Sequence, residues 1–178
     1  DVTAFLQSRP DMVRRQILYS AARQYSEGDV MHWWHHPKFG LRSRITDDKL
    51  FLPLVASEYA SFTGDKEIFS EIIPYLDSPK LSDNEKSRFE NPPYSERRGT
   101  LEEHCILAIK SALSYGKHGL LVMGSGDWND GMDEICAEGR GESVFNSMLA
   151  YLTIKKFLPY CHDKASELDR IAEELKSA

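Results

Sequence analysis

The sequence predicts an all-α protein built as a helical-hairpin array, and three observations carry that prediction. Apolar residues recur at helical spacing through most of the chain, and the stretches so marked are bracketed by acidic starts, a capping box and terminal glycines. The connections between them are long, which suits an array of hairpins better than a compact four-helix bundle.

Taken in order, the first helix starts at Pro10, where Val13, Ile17, Ala21 and Tyr25 stand four apart on one face, and it ends near Gly28. The second, DDKLFLPLVASEYASFTG, opens on paired aspartates that suit the positive end of a helix dipole and stops at Gly64. Its Pro53 is expected in the first turn or two, where a missing N–H costs least. KEIFSEIIPYL reads as a short third helix, and residues 77–99, polar and without period, as a long surface excursion. Thr100 with Glu103 three residues on forms a capping box, and Leu101, Cys105, Ala108, Ala112 and Leu113 give the fourth helix its apolar face. SVFNSMLAYLTIKKFLPYC and DKASELDRIAEELKSA supply a fifth and a sixth. The loops at 29–48 and 116–142 are expected to share one rim and form the site.

A chain of 178 residues is enough for one domain with a real core. A net charge of -6 argues against a general nucleic-acid binder or a polybasic membrane segment, so an uncharged substrate suits it better. The three cysteines are scattered and odd in number, which argues against a disulfide framework and for a reducing, cytoplasmic setting. The longest apolar runs fall short of the about 20 residues that span a bilayer. DVTAFLQSRP begins mid-pattern without an initiator methionine, as expected of a segment from a longer polypeptide.

The most unusual stretch is 124-GSGDWNDGMDE-134, with three glycines and the acids Asp127, Asp130, Asp133 and Glu134. It matches an EF-hand at Asp127, Asn129 and Glu138 but fails at the turn, where Met132 stands in place of the required glycine. An inverting glycosidase pair stands about 6.5–9.5 Å apart, which two aspartates in one tight turn seldom reach. One of them can still serve as a lone general acid beside Trp128, whose apolar face excludes water. An Asp/Asn/Gly turn around a buried tryptophan explains the same residues without function. In 29-DVMHWWHHPKFGLRSRITDD-48, His32 and His36 have zinc-ligand spacing but lack the companion glutamate and are followed by Pro37. Trp33 and Trp34 read either as core aromatics or as a stacking floor for a sugar, and Arg42 and Arg44 either as salt-bridged surface groups or as donors to sugar hydroxyls.

HWWHHPKFGLRSRITDDKLFLP, TLEEHCILAI, HGLLVMGSGDWNDGMDE and GRGESV together resemble the catalytic domain of glycoside hydrolase family 94, from about Arg9 to about Tyr160. That family contains cellobiose, cellodextrin and chitobiose phosphorylases and the phosphorylase-like domain of cyclic β-1,2-glucan synthases. The resemblance implies an (α/α)6 barrel, of which this chain is a single segment covering about half. It also implies inverting phosphorolysis of β-glucosides, with inorganic phosphate as co-substrate, no metal or other cofactor, and phosphate-binding loops in the remainder of the parent polypeptide. A parent of the synthase kind leaves membrane association open. By resemblance Asp130 is the general acid, Trp128 contacts the sugars, and Arg42 and Asp48 bind the non-reducing glucosyl unit. Where members commonly carry Gly-Arg-Gly, this chain reads KFG. An inverting hydrolase on the same scaffold and a non-catalytic carbohydrate-binding domain are the competing readings. A half barrel is expected to expose helix faces, so that the isolated chain is catalytically silent and either self-associates through those faces or shows rapid amide exchange along them.

Overall fold

A computed structural model describes residues 2–36, 38–132, 134, 136 and 138–178. Two residues weighed above, Pro37 and Asp133, lie outside the described residues. Among the described residues, five α-helices stand where the helical periodicity is clearest: α1 (Pro10–Ala21), α2 (Asp48–Thr63), α3 (Leu101–Ala112), α4 (Val144–Phe157) and α5 (Ala165–Ser177). Helix α2 lies at their centre, touching α1, α3 and α4, while α5 packs on α4. The shared core draws Val13 and Ile17 from α1, Leu50, Ala56 and Tyr59 from α2, and Leu101, Cys105 and Ile109 from α3. Ile154 and Phe157 of α4 and Leu168 and Ala172 of α5 complete it. The capping box forms as written: the Thr100 N–H donates to the Glu103 carboxylate at 2.7 Å and the Glu103 N–H to the Thr100 hydroxyl at 3.1 Å. Gly64 ends α2 in the left-handed conformation at φ 78°.

The all-α expectation, a helical-hairpin array forming part of an (α/α)6 barrel, is overturned: the structure is mixed, with five strands in two antiparallel sheets among the described residues. Strands β1 (Met31–His35) and β2 (Phe39–Ser43) form a hairpin, and β4 (Ser87–Glu90) adds to the far side of β2. Strand β3 (Ile72–Leu76) pairs with β5 (Tyr94–Thr100). The expected third helix is thus a short 3-10 turn, Lys66–Ser70, followed by β3, whose paired isoleucines and tyrosine favour a pleated surface. Pro74 is tolerated there because its sheet has two strands and a bulge follows it before Leu76. The supposed surface excursion carries β4 and β5. Their residues are largely polar and exposed, so neither strand alternates strongly enough to announce itself.

Two further contacts bring the loops of the site together. Gly40 sits so close to β1 that a Cβ there would lie 2.3 Å from the Trp33 carbonyl oxygen, so only glycine lets the hairpin close. Residues 44–46 are stitched to residues 123–126: the Thr46 hydroxyl donates to the carbonyls of Met123 and Gly126, and the Thr46 N–H to Gly126 as well. At Gly124 φ is 67°, and a Cβ would meet the Arg44 carbonyl at 2.6 Å, so both the turn and the close approach require glycine.

Candidate active site

The two aspartates of the DWND turn part company in the fold. Asp127 is only 2 % exposed. Its carboxylate accepts from the Ser143 hydroxyl at 2.5 Å and from the Asn129 N–H at 3.3 Å. Asn129 in turn accepts from the Gly131 N–H at 3.1 Å. These are the bonds of a braced turn, and they tie it to Ser143, the residue that caps α4 through the Asn146 N–H. Asp130 opens the next 3-10 turn, Asp130–Met132, with its side chain 59 % exposed. The same loop sets Trp128 on the surface, 66 % exposed, with Phe145 of α4 at 6.1 Å between ring centroids.

Across from this turn, β1 alternates. Trp33 and His35 face out, while His32 and Trp34 line a cavity of about 210 Å³ with Arg23, Met31, Asp48 and Phe51. His32 joins the two carboxylates of interest: Nδ1 lies 2.8 Å from Oδ2 of Asp48 at the start of α2, and Nε2 lies 3.2 Å from Oδ2 of Asp130. The hydrogen bond to Asp48 raises the imidazole to about 8 against the opposing effect of burial, and the charges of Asp48 and Asp130 add to the rise. Burial pushes the Asp48 carboxyl upward while His32 pulls it back. Beside it Asp47 is buried and its Oδ1 has no hydrogen-bond partner. Burial first, and the Asp48 charge second, push it up to about 6.

The four residues named from the resemblance therefore divide. Asp130 and Asp48 meet through one imidazole, and Trp128 shares the Asp130 loop. Arg42 is fully buried and faces a different cavity, with Glu27, Asp29, Arg44 and Lys49. Its guanidinium grips Asp29 through Nε at 2.7 Å and Nη2 at 2.9 Å. Nη1 donates to the carbonyls of Ser78 and Pro79, and the plane lies 3.7 Å over the Tyr25 ring. Arg44 likewise donates to backbone carbonyls, those of Leu81, Ser82 and Glu85. Both ring nitrogens of His32 face carboxylates and His36 is exposed, so the zinc spacing does not gather a pair. Glu138, the last residue of the EF-hand match, pairs with Arg140. The place of His32 between the two carboxylates was missed by sequence reasoning. Its signal was the alternation of MHWWH, which, taken as a strand, turns His32 inward beside Trp34.

Comparison with known proteins gives the family of the chain. The family model for the catalytic domain of the glycosyl hydrolase 94 superfamily matches residues 1–178. The cyclic beta-(1,2)-glucan synthase NdvB of Rhizobium meliloti (strain 1021) is 36 % identical over all of this chain, which covers 6 % of that protein. Solabiose phosphorylase of Paenibacillus borealis is 28 % identical over 99 % of the chain and 21 % of its own length. The 1,2-beta-oligoglucan phosphorylase of Listeria innocua is 27 % identical over 83 % of the chain and 14 % of its own length. The chain thus spans from about a twentieth to about a fifth of these relatives, and it belongs to the glycosyl hydrolase 94 superfamily as a stretch of its catalytic domain.

Proposed function

We propose that the parent protein catalyses inverting phosphorolysis of β-linked glucosaccharides, as a glucan phosphorylase or as the corresponding domain of a cyclic β-1,2-glucan synthase. In this reading the chain is one segment of a larger catalytic domain and carries its general acid. The observation that supports it is the exposed Asp130 carboxylate, held 3.2 Å from an imidazole that also holds Asp48, beside an exposed tryptophan. Phosphate attacks the anomeric carbon from the face opposite the leaving oxygen, the C–O bond breaks, and Asp130 protonates that oxygen as it departs. No second carboxylate is required to activate water, which agrees with Asp127 being buried and committed to Ser143. Asp48 accepts from hydroxyls of the glucosyl unit, and Trp128 offers a face for a sugar ring. Arg42 serves the sugar subsite as the brace behind β2, because its donors are held by Asp29 and by the 78–79 backbone. Phosphate-binding groups belong, in this reading, to the rest of the polypeptide.

The test is to incubate the full-length parent with β-1,2-linked and other β-linked glucodisaccharides, with and without phosphate. Phosphate-dependent release of an α-configured sugar 1-phosphate is expected. Release of free sugar without phosphate would establish a hydrolase instead, and binding without turnover a non-catalytic domain. Asp130→Asn is expected to lower disaccharide turnover by about 10²–10⁴-fold.

A further inference from the structure

One side chain in the site remains without a role. The His32 ring stands between two carboxylates that come from separate pieces of chain, the start of α2 and the turn at Asp130, while the ring itself is fixed by β1. An imidazole facing an acceptor at each nitrogen donates to both only when it carries two protons, and when neutral it keeps one. Asp48 is the better held partner, at 2.8 Å and with a side chain 19 % exposed, against 3.2 Å and 59 % for Asp130. Nδ1 thus faces the better held carboxylate and Nε2 the looser, more exposed one.

We propose that His32 is a positioning residue that aims the Asp130 carboxyl at the leaving oxygen and replaces the proton Asp130 delivers, an assignment that rests on Asp130 being the general acid. As the glycosidic C–O bond breaks, its electron pair stays on the leaving oxygen. The O–H bond of Asp130 breaks and a new O–H bond forms there. The Nε2–H bond of the imidazolium then breaks and its proton passes to the Asp130 carboxylate, leaving a neutral ring still bonded through Nδ1–H to Asp48. The ring, one-fifth exposed, regains a proton from water. Hydrogen phosphate releases one proton on becoming the dianionic ester, so the cycle balances. The charged groups facing the ring are Asp48 from α2 and Asp130 from its turn, with Arg23, just after α1, on the same cavity and stacked 4.1 Å over Tyr19. The ring is raised to about 8, mainly by the Asp48 hydrogen bond, so it is charged at neutral pH.

The experiment compares wild type, His32→Gln and Asp130→Asn in the full-length parent, with a β-linked disaccharide and with β-glucosyl fluoride, each with phosphate. Glutamine retains an N–H for one carboxylate but cannot take up the proton, and fluoride leaves without one. The expected result for His32→Gln is a fall in kcat of about tenfold or more on the disaccharide, with KM within about twofold and fluoride turnover within about threefold. Wild-type disaccharide activity should decline as pH rises through about 8, and His32→Gln should lose that limb. Equal losses on both substrates, or an unchanged pH profile in His32→Gln, would overturn the proposal. If Asp130→Asn shows the selective loss and His32→Gln does not, this inference alone falls. If Asp130→Asn shows none, the acid assignment falls and takes this one with it.

Discussion

Asp47 and Asp48 are neighbours in sequence with opposite company. Asp48 has an imidazole partner, whereas Asp47 has burial and a bare oxygen. The folded Asp47 carboxyl titrates at about 6, above its usual 3.8, so the native state prefers it protonated. The stability that follows is fully present below the unfolded value and is lost as pH rises through about 6. Asp47→Asn is therefore expected to raise unfolding stability at pH 7.5 by about 2 kcal/mol and to change it little at pH 4, as read by urea denaturation. His32 acts in the same direction at higher pH: raised above its ordinary value, it stabilises below that value, and the contribution fades as pH passes about 8. Within the DWND turn, Asp127→Ala leaves the buried Ser143 O–H without its acceptor and should cost about 1–3 kcal/mol. Asp130→Asn should leave the melting temperature unchanged, and scanning calorimetry of both variants separates brace from acid. That division was only half legible in the sequence. The acids and glycines advertised a shaped loop, but which aspartate is buried depends on Ser143, 16 residues further on, and no local pattern reports it.

At the scale of elements, the helices were readable because each buries one stripe, and a stripe leaves a period. Val13, Ile17 and Ala21 are buried as their spacing requires, and the Thr100 capping box needs only four consecutive residues to declare itself. The strands were not readable, because β4 and β5 are polar ribbons whose partners lie far away in sequence, and MHWWH is aromatic on both faces. The hairpin that carries His32 hangs on Gly40, and the methyl group of Gly40→Ala would collide with the Trp33 carbonyl and with Cβ of Trp34. That substitution is expected to cost about 2 kcal/mol or more and to change the near-UV circular dichroism of the paired tryptophans. A variant with wild-type spectrum and stability would mean that the hairpin closes by another route.

For the molecule as a whole, one surface calls for cover. Val144, Met148 and Leu152 run along α4 at helical spacing, joined by Phe145, and all four are exposed. They continue from Trp128 and the Asp130 loop, so the apolar ridge begins beside the proposed acid. The isolated 178-residue chain is expected to associate through this ridge into dimers or larger species at high concentration, and Met148→Lys with Leu152→Lys to return it to monomer, as read by light scattering. Association that persists in the double variant would place the contact elsewhere. Family membership was legible at this scale from a few loop motifs, whereas the mixed architecture was not, because β4 and β5 pair with strands well separated from them in sequence.

The stitch between Thr46 and Gly126 closes a loop of 80 residues with the hydroxyl and the N–H of one residue. Contacts of such separation are slow to form, since the intervening chain must first be ordered. Until they form, the Asp130 turn and the start of α2 are not held to one another, and the His32 bridge between their carboxylates cannot stand. In the reading proposed above, a partly unfolded molecule therefore has no assembled acid, and turnover by the parent is expected to appear only once that fastening has been made.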